Sequence, residues 1–534
     1  MWTIPLEGAT AGRAAPGEAE PSLALAAIGP NLEPKVLLEP ETNCWRRESA
    51  DQAALIIDTE AYFDAAMEAM LRARHTVHLL NWAFEPQTLF HPEKGCSGPD
   101  SDRIGTFLKR LAADRPHLDV RILCWKSALP VAATQDWFTI KDRKTFIGSK
   151  VKLALDGKLP LGASHHQKAI IIDDAIAFCG GADIGPERWD TPAHLDDDPR
   201  RAKTSHAHGN SEDDFDSRHE VMGIVSGAPA SSLGELFRER WARATGERIE
   251  APPPSKPVWP GGIEPQFSAV TTGLSRTFGA WRAFPEVREV ERLFLDSIAA
   301  AKRCIYMENQ YFTSPLIAAA LARRLAEPSG PEVVLIGTEH SPSYFDQATM
   351  DRTRLEFIQT LKSSDKHGRL QAYSPVTTLG RTIIVHAKLT IIDDVLLRIG
   401  SANINNRSMG FDSECDLSFE AAGRTAAKTR RQIAACRTRL CAHWLGCDDQ
   451  TFLDASHEAG GVGAGLEALR NRGYVRLRPI EVAPVTGMGV LIADYHVGDP
   501  FAPADSWRCW RRKSQAKNAA RRGSDTVKRS IQAG

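Results

Sequence analysis

The fold turns on the stretch HHQKAIIIDDAIAFCGGAD, residues 165–183, and on its near repeat VHAKLTIIDDVLLRIGSAN, residues 385–403. Each copy sets a His and a Lys two residues apart, follows them with branched aliphatics, and turns at a pair of Asp residues. In the first copy the apolar runs 169–172 and 176–179 flank Asp173, Asp174 and Ala175, which predicts a β-hairpin. Pairing about residue 174 brings His166 opposite Ala182, with Asp183 beside it. Pairing about residue 394 brings His386 beside Ala402 and Asn403. Residues two apart face the same side of a strand, so each copy presents an imidazole next to an ammonium. The glycines at 180, 181 and 400 leave space for a ligand or a second chain segment to approach.

The repeat extends outward from these hairpins. AYFDAAMEAMLRARHTVHLLNWAF (61–84) and IGTFLKRLAADRPHLDVRILCW (104–125) precede the first copy; EVERLFLDSIAAAKRCIYMENQYF (289–312) and LIAAALARRLAEPSGPEVVLIG (316–337) precede the second. Each pair reads as helix into strand, twice: Phe63, Met67, Met70 and Leu71 have helical spacing, and HTVHLL and RCIYM are strand-like. Between the two series lies PPPSKPVWPGG, 252–262, a linker by composition. The expected architecture is α/β, with two similar halves, each a mixed β-sheet flanked by helices, packed about a pseudo-twofold axis. The boundaries that follow are a loosely ordered segment at 1–42, a first half at 43–250, a linker and lead-in at 251–284, a second half at 285–500 and a basic tail at 501–534.

A net charge of −1 over 534 residues excludes a fold that works as a general trap for polyanions, and no basic groove for nucleic acid is visible. One local asymmetry stands out: residues 507–534 carry nine Lys or Arg against one acid, Asp525. This reads as a solvated tail, or as a contact with anionic lipid aided by Trp507 and Trp510. The ten cysteines form no CxxC pair and several sit in apolar runs, which indicates reduced, buried thiols. No run reaches the roughly 18 apolar residues of a membrane span, and the N-terminus lacks the pattern of a secretory signal. A cytoplasmic or peripheral membrane location is expected, with a non-classical export route left open, and the chain is expected to be monomeric.

A lone HxKxxxxD would occur by accident in about one chain in twenty-five of this length. Two copies, each followed fourteen residues after its His by GGAD or GSAN, are not coincidence. With both in view the chain resembles the phospholipase D superfamily, whose mark is a pair of such motifs; here they are His166, Lys168, Asp173 and His386, Lys388, Asp393. GGADIGPERWDTPAH (180–194), GSANINNRSMGFDSE (400–414), MENQYF (307–312) and FRERW (237–241) strengthen the likeness to true phospholipases D. It covers nearly everything from 43 to 500.

The chemistry of such a site can be stated physically. Lys168 and Lys388 can stabilise the oxygens of a phosphodiester as a nucleophile adds, with Ser401 and Asn403 as neutral donors. Two imidazoles can divide the remaining work, one attacking phosphorus and the other protonating the leaving alcohol. The residues alone do not rank the two; the resemblance implies a phosphohistidine on His166, with His386 as acid and then base. It also implies one carboxylate downstream of each motif to orient an imidazole, and Glu220 and Glu414 match those positions. Asp183 is a further candidate at the phosphate-binding or His-orienting edge. Asp173 and Asp393 are expected to shape the hairpins and orient the lysines. His165 reads as a neighbour of the site.

Two lysines and an imidazolium supply enough positive charge that no divalent metal or other cofactor is expected. The stretch HLDDDPRRAKTSHAHGNSEDDFD, 194–216, has no recognisable ligand spacing and reads as a solvated insertion near the mouth of the site. The resemblance implies a phosphodiesterase that hydrolyses phosphatidylcholine- or phosphatidylethanolamine-type lipids at a membrane surface and transfers the phosphatidyl group to alcohols. The alternatives are a cardiolipin synthase-type phosphatidyltransferase and a non-catalytic lipid-binding protein of the same fold.

Overall fold

The computed structural model describes residues 36–92, 102–126, 144–201, 216–339, 347–481, 495–496, 498–505 and 508–533. In the first half, β1 (Arg46–Ile57) leads into α1 (Thr59–Leu71), β2 (Thr76–Asn81), α2 (Ile104–Asp114), β3 (Asp119–Trp125) and β4 (Lys152–Asp156). The first motif follows as the hairpin β5 (Ala169–Ile172) and β6 (Ile176–Gly180), then β7 (Arg218–His219), β8 (Val221–Gly227) and α3 (Ala228–Thr245).

The second half repeats this order. It comprises β9 (Phe267–Phe278), β10 (Val287–Arg288), α4 (Glu289–Ala300), β11 (Cys304–Asn309), α5 (Pro315–Leu325), β12 (Glu332–Ile336), α6 (Arg352–Ser364) and β13 (Leu370–Pro375). Then come β14 (Ile384–Val385), the hairpin β15 (Lys388–Ile392) and β16 (Leu396–Gly400), the short α7 (Asn406–Gly410), β17 (Glu414–Glu420) and α8 (Ala426–Leu445). Helices α9 (Asp449–Ala459) and α10 (Val462–Asn471), edge strand β18 (Leu477–Pro479) and helix α11 (Arg512–Ala533) complete the described chain.

The halves do not keep separate sheets. One sheet runs β18-β13-β12-β11-β15-β16-β17-β9-β1-β8-β6-β5-β2-β3-β4, and apart from β18 the order reads alike outward from the β9–β1 pair. In each half a parallel pair (β2 with β3, β11 with β12) adjoins an antiparallel hairpin. The hairpin registers, Ala169 with Cys179 and Leu389 with Ile399, centre on residues 174 and 394 as the sequence predicts. Every residue of β5 and β15 is buried, and apart from Lys388 and Thr390 both strands are apolar throughout.

The two hairpin layers meet face to face. A Cβ on Gly223 of β8 would lie 3.0 Å from Ile399 of β16, and the Cys179 thiol of β6 donates to the Cys415 carbonyl of β17 at 3.6 Å. One apolar core, from Leu80 and Ile171 to Ile391 and Trp444, is therefore shared between the halves. Each half also keeps a core of its own beneath its helices. Eight cysteines among the described residues are free thiols, seven of them buried.

Three expectations are refined. The lead-in after the 252–262 linker is regular structure, because Phe267–Phe278 is a 12-residue strand near the middle of the sheet. Residues 36–42 are not loose: Leu37 and Leu38 are buried and their amides donate to Glu420, while 1–35 lie outside the described residues. The basic C-terminal segment is not a solvated tail over 512–533 but α11, which lies against α4 and α5. Val527 and Ala519 are buried, Arg522 pairs with Glu291 at 3.0 Å, and Gly523 sits where a Cβ would collide with the Leu316 carbonyl. Trp510 is exposed, and Trp507 lies outside the described residues. Among the described residues no helix is long and apolar enough to cross a membrane.

Candidate active site

The segment before β5 is extended and pairs with the start of β17 in the other half. His166 N–H donates to the Ser413 carbonyl at 2.9 Å, Ser413 N–H donates to Ser164, and the Gln167 amide reaches the Glu414 carbonyl. This register puts Glu414 Oε2 at 3.0 Å from His166 Nδ1. Ser401 Oγ donates to the same oxygen at 2.5 Å, and Ser408 Oγ donates to Oε1 at 2.6 Å. The carboxylate is fixed from three sides, and with Nδ1 occupied His166 presents Nε2 to the site.

The mirror arrangement holds the second motif. β14 pairs in parallel with β7, and His386 N–H donates to the His219 carbonyl at 2.8 Å. Glu220 Oε1 lies 2.7 Å from His386 Nδ1. Each imidazole is thus backed by the acid that follows the other motif. His386 Nε2 accepts from Arg188 Nη1 at 3.1 Å, and Arg188 is itself buried against Glu187 and Glu220. Side-chain exposure is 14% for His166 and 6% for His386, so the first ring is the more accessible.

The lysines lie close by. Lys168 Nζ donates to the His166 carbonyl at 2.9 Å and stands 3.3 Å from Asp183 Oδ2, while Asp183 Oδ1 accepts from the Trp82 and Ala83 amides. The Lys168 ammonium also sits 5.6 Å from the centre of the Trp82 ring, a cation–π contact. Lys388 Nζ donates to the His386 carbonyl at 2.5 Å and to Gln310 Oε1 at 3.1 Å, so a neutral amide stands where Lys168 has a carboxylate. Gly181 lets the motifs meet: a Cβ there would lie 2.9 Å from the His386 carbonyl and 3.0 Å from the Lys388 side chain.

Burial and mutual repulsion set the proton affinities. Burial, then Lys168 and Lys388, hold His166 well below its ordinary value; burial, then Lys388 and Arg188, do the same to His386. Burial also lowers both lysines, and in Lys168 Asp183 opposes the effect. Burial pushes Glu414 up to about 8 against the two serine donors, and raises Glu220 against Lys388 and Arg188. A phosphodiester anion entering between two lysines and two imidazoles would favour their charged forms, so that an imidazole acting as acid could take up a proton from solvent and hold it.

The predicted residues do not all converge. Asp173 and Asp393, the acids of the two motifs, touch neither the motif imidazoles nor the motif lysines: they shape the hairpin ends as expected but do not orient the lysines or join the reacting groups. Asp173, at φ 53°, accepts from the amides of Arg74, His75 and Thr76 at 2.7–2.8 Å, at the far end of β5. Asp393, at φ 50°, does the same for Lys302, Arg303 and Cys304. Ser401 turns its hydroxyl to Glu414, and Asn403 Oδ1 is buried without a hydrogen-bond partner. His165 is locked between Asp156 and Ser413.

Arg188, Gln310 and Trp82 were not singled out from sequence, although Arg188 and Gln310 lie inside the quoted PERWD and MENQYF strings. The 194–201 part of the expected solvated insertion is packed, with His194, Asp198 and Arg201 buried, while 202–215 lie outside the described residues.

Residues 294–436 match the family described as cardiolipin synthase, PLD-like domain. Phospholipase D2 of Bos taurus is 22% identical over 67% of the chain, phospholipase D1 of Saccharomyces cerevisiae 23% over 74%, and phospholipase D alpha 1 of Carica papaya 22% over 73%. The matches span 48%, 29% and 64% of those proteins, less than two thirds in each case. Among solved structures, the phosphatidylserine synthase of Haemophilus influenzae is 14% identical, with a TM-score of 0.44 over 72% of this chain and 86% of that one. What the chain resembles in these matches is a PLD-like domain over 294–436 and, at 22–23% identity, phospholipases D over about 70% of its length.

Proposed function

We propose that the protein is a phospholipase D that hydrolyses the distal phosphodiester of choline- or ethanolamine-type glycerophospholipids and can transfer the phosphatidyl group to an alcohol. The observation that carries this reading is the pair of imidazoles, each backed at Nδ1 by a buried carboxylate from the other half, with a lysine beside each. His166 Nε2 attacks phosphorus while the bond to the head-group oxygen breaks, and His386, which takes up a proton at Nε2 and gives up its Arg188 contact as the substrate anion binds, hands that proton to the oxygen. Water or an alcohol then loses a proton to His386 and attacks the phosphohistidine, releasing phosphatidic acid or a phosphatidyl ester and restoring His166. Assigning attack to His166 is supported by its greater exposure and by the Arg188 donor that occupies His386 Nε2.

A lipid surface is supported by apolar side chains on the turns that precede the motifs. Leu161 and Leu379 are exposed, and Leu195 is brought near Leu379 by the Asp196 carboxylate, which accepts the Leu379 amide at 3.0 Å. The test is release of choline or ethanolamine from mixed vesicles by the purified protein, with loss of release in His166→Ala and His386→Ala. Turnover of another phosphodiester with every diacyl lipid left intact would overturn the lipid assignment.

The 294–436 family match favours one second reading, a phosphatidyltransferase of the cardiolipin synthase type. With phosphatidylglycerol as sole lipid, cardiolipin and glycerol as products would select that reading, and phosphatidic acid would select hydrolysis.

A further inference from the structure

Behind the second catalytic imidazole four side chains converge that no step above uses. Asp58 at the N-terminus of α1, His194 after the first motif, His219 in β7 and His443 in α8 each point one ligand atom inward, all within 4.8 Å of one another. We propose that these residues bind a divalent transition-metal ion of the zinc class, which ties the two halves together behind Glu220.

The spacing is that of a coordination shell slightly open. His194 Nε2 lies 3.2 Å from His443 Nε2 and 3.5 Å from Asp58 Oδ2, and His443 Nε2 lies 3.9 Å from that oxygen. A tetrahedral ion with bonds of about 2.0–2.1 Å needs its ligands roughly 3.3–3.4 Å apart. His219 Nδ1, the fourth candidate, is 2.9 Å from Asp58 Oδ1. Asp58 Oδ2 is buried without a hydrogen-bond partner, and His219 Nδ1, although close to Asp58 Oδ1, makes no well-aligned hydrogen bond to it, so both atoms can turn toward an ion.

The outer contacts suit metal ligation. His194 turns Nδ1 to Asp190 Oδ2 at 2.9 Å, and His219 turns Nε2 to Glu308 Oε2 at 3.0 Å. A carboxylate on the remote nitrogen holds the ring in the tautomer that directs a lone pair at the ion. Asp190 is held by Arg201, and Glu308 by Trp444 Nε1 at 2.9 Å. Two of the four ligands have strained backbone: Asp58 at φ 63°, ψ 159°, a region that favours glycine, and His194 at φ 46°. Such strain persists where the surroundings over-determine a conformation.

Three imidazoles and one carboxylate suit zinc, cobalt or nickel, and offer too few oxygens for calcium or magnesium. His443 is 9% exposed and the other three side chains are fully buried, which leaves one side for entry. The ion would act on Glu220 through the backbone, since Asp58 N–H donates to the Glu220 carbonyl at 2.8 Å and Asp58 Oδ1 accepts the Glu220 amide at 3.2 Å. The competing arrangement is a metal-free network with a charged His219 between Asp58 and Glu308.

The full chain should be purified without chelator and its metal content measured by mass spectrometry. About one zinc per chain is expected, falling at least tenfold in His443→Ala and His443→Gln and persisting in His386→Ala. Removal by a strong chelator should lower the melting temperature, and added zinc should restore it. Cobalt replacement should give the intense visible absorption of a tetrahedral site, a readout that does not depend on how the variants fold. Wild-type protein that holds no metal after incubation with zinc, cobalt or nickel and gel filtration would overturn the proposal. Equal metal content in folded wild type and His443→Ala would overturn it as well.

Discussion

Glu414 Oε2 lies 3.0 Å from His166 Nδ1 although the two residues are 248 positions apart and belong to different halves. With the acid at Nδ1, the neutral ring directs the lone pair of Nε2 into the site, where the proposed reaction needs it. Glu414→Gln keeps the size and the serine contacts but cannot ionise to stabilise the imidazolium that forms during turnover. We expect kcat to fall by about 10²–10⁴ with the melting curve nearly preserved. His166→Ala combined with Glu414→Gln should cost little more than His166→Ala alone, and full additivity in this cycle would separate the two residues functionally.

Leaving-group dependence distinguishes the roles of the two histidines. A p-nitrophenyl phosphodiester departs without needing a proton, so His386→Ala should lose far less rate on it, by about 10²-fold or more, than on a choline ester. His166→Ala should be inactive on both. If both variants lost the same factor on both substrates, His386 would not be the acid.

Glu414 also predicts a pH effect on stability. Its folded value of about 8 lies above the ordinary 4.5, so between those limits the folded state holds a proton that the unfolded state has released. The contribution is full below pH 4.5 and declines as pH rises through 8, with a slope no steeper than about 1.4 kcal/mol per pH unit. Glu414→Gln removes this decline and adds a constant offset. Unfolding curves at several pH values should therefore converge or cross between pH 4.5 and 8, and parallel curves would contradict the assignment.

Asp173 serves the turn, so its loss should appear in stability before chemistry. Asp173→Ala strands three amide donors and should cost roughly 2–4 kcal/mol, with kcat unchanged at temperatures where the variant stays folded. The matching change at the less buried Asp393 should cost less. A large fall in kcat for folded Asp173→Ala would return this residue to the catalytic set.

Arg188 faces His386, the proposed acid–base group, directly. Arg188→Ala should lower kcat/KM by about 10²–10³-fold, and Arg188→Lys should recover only part, because a point charge cannot meet His386 and Glu187 together. Full recovery with Lys would reduce the role of Arg188 to charge alone.

The local parts of this structure were legible in the sequence and the long-range parts were not. Both hairpins fell on the predicted registers because turn chemistry and strand period act over a few residues. Glu220 and Glu414 could be picked out as acids, but no periodicity says that each serves the other half's imidazole. Strand β9 was hidden in the lead-in because FSAVTTGLSRTF alternates weakly and carries many hydroxyls. Helix α11 was hidden by its charge, since its buried residues, such as Ala519 and Val527, form a thin stripe. The four residues behind Glu220 come from four distant segments, which is why the spacing within 194–216 pointed to nothing.

The exchange of carboxylates between the halves makes the active site a reporter of assembly. A chain severed in the proline-rich connector at 252–262 would yield two fragments, each holding an imidazole without its acid and an acid without its imidazole. Neither could turn over substrate alone, however well it folded. Co-expressed, the fragments would recover activity only to the extent that they found one another, so turnover would measure complementation directly.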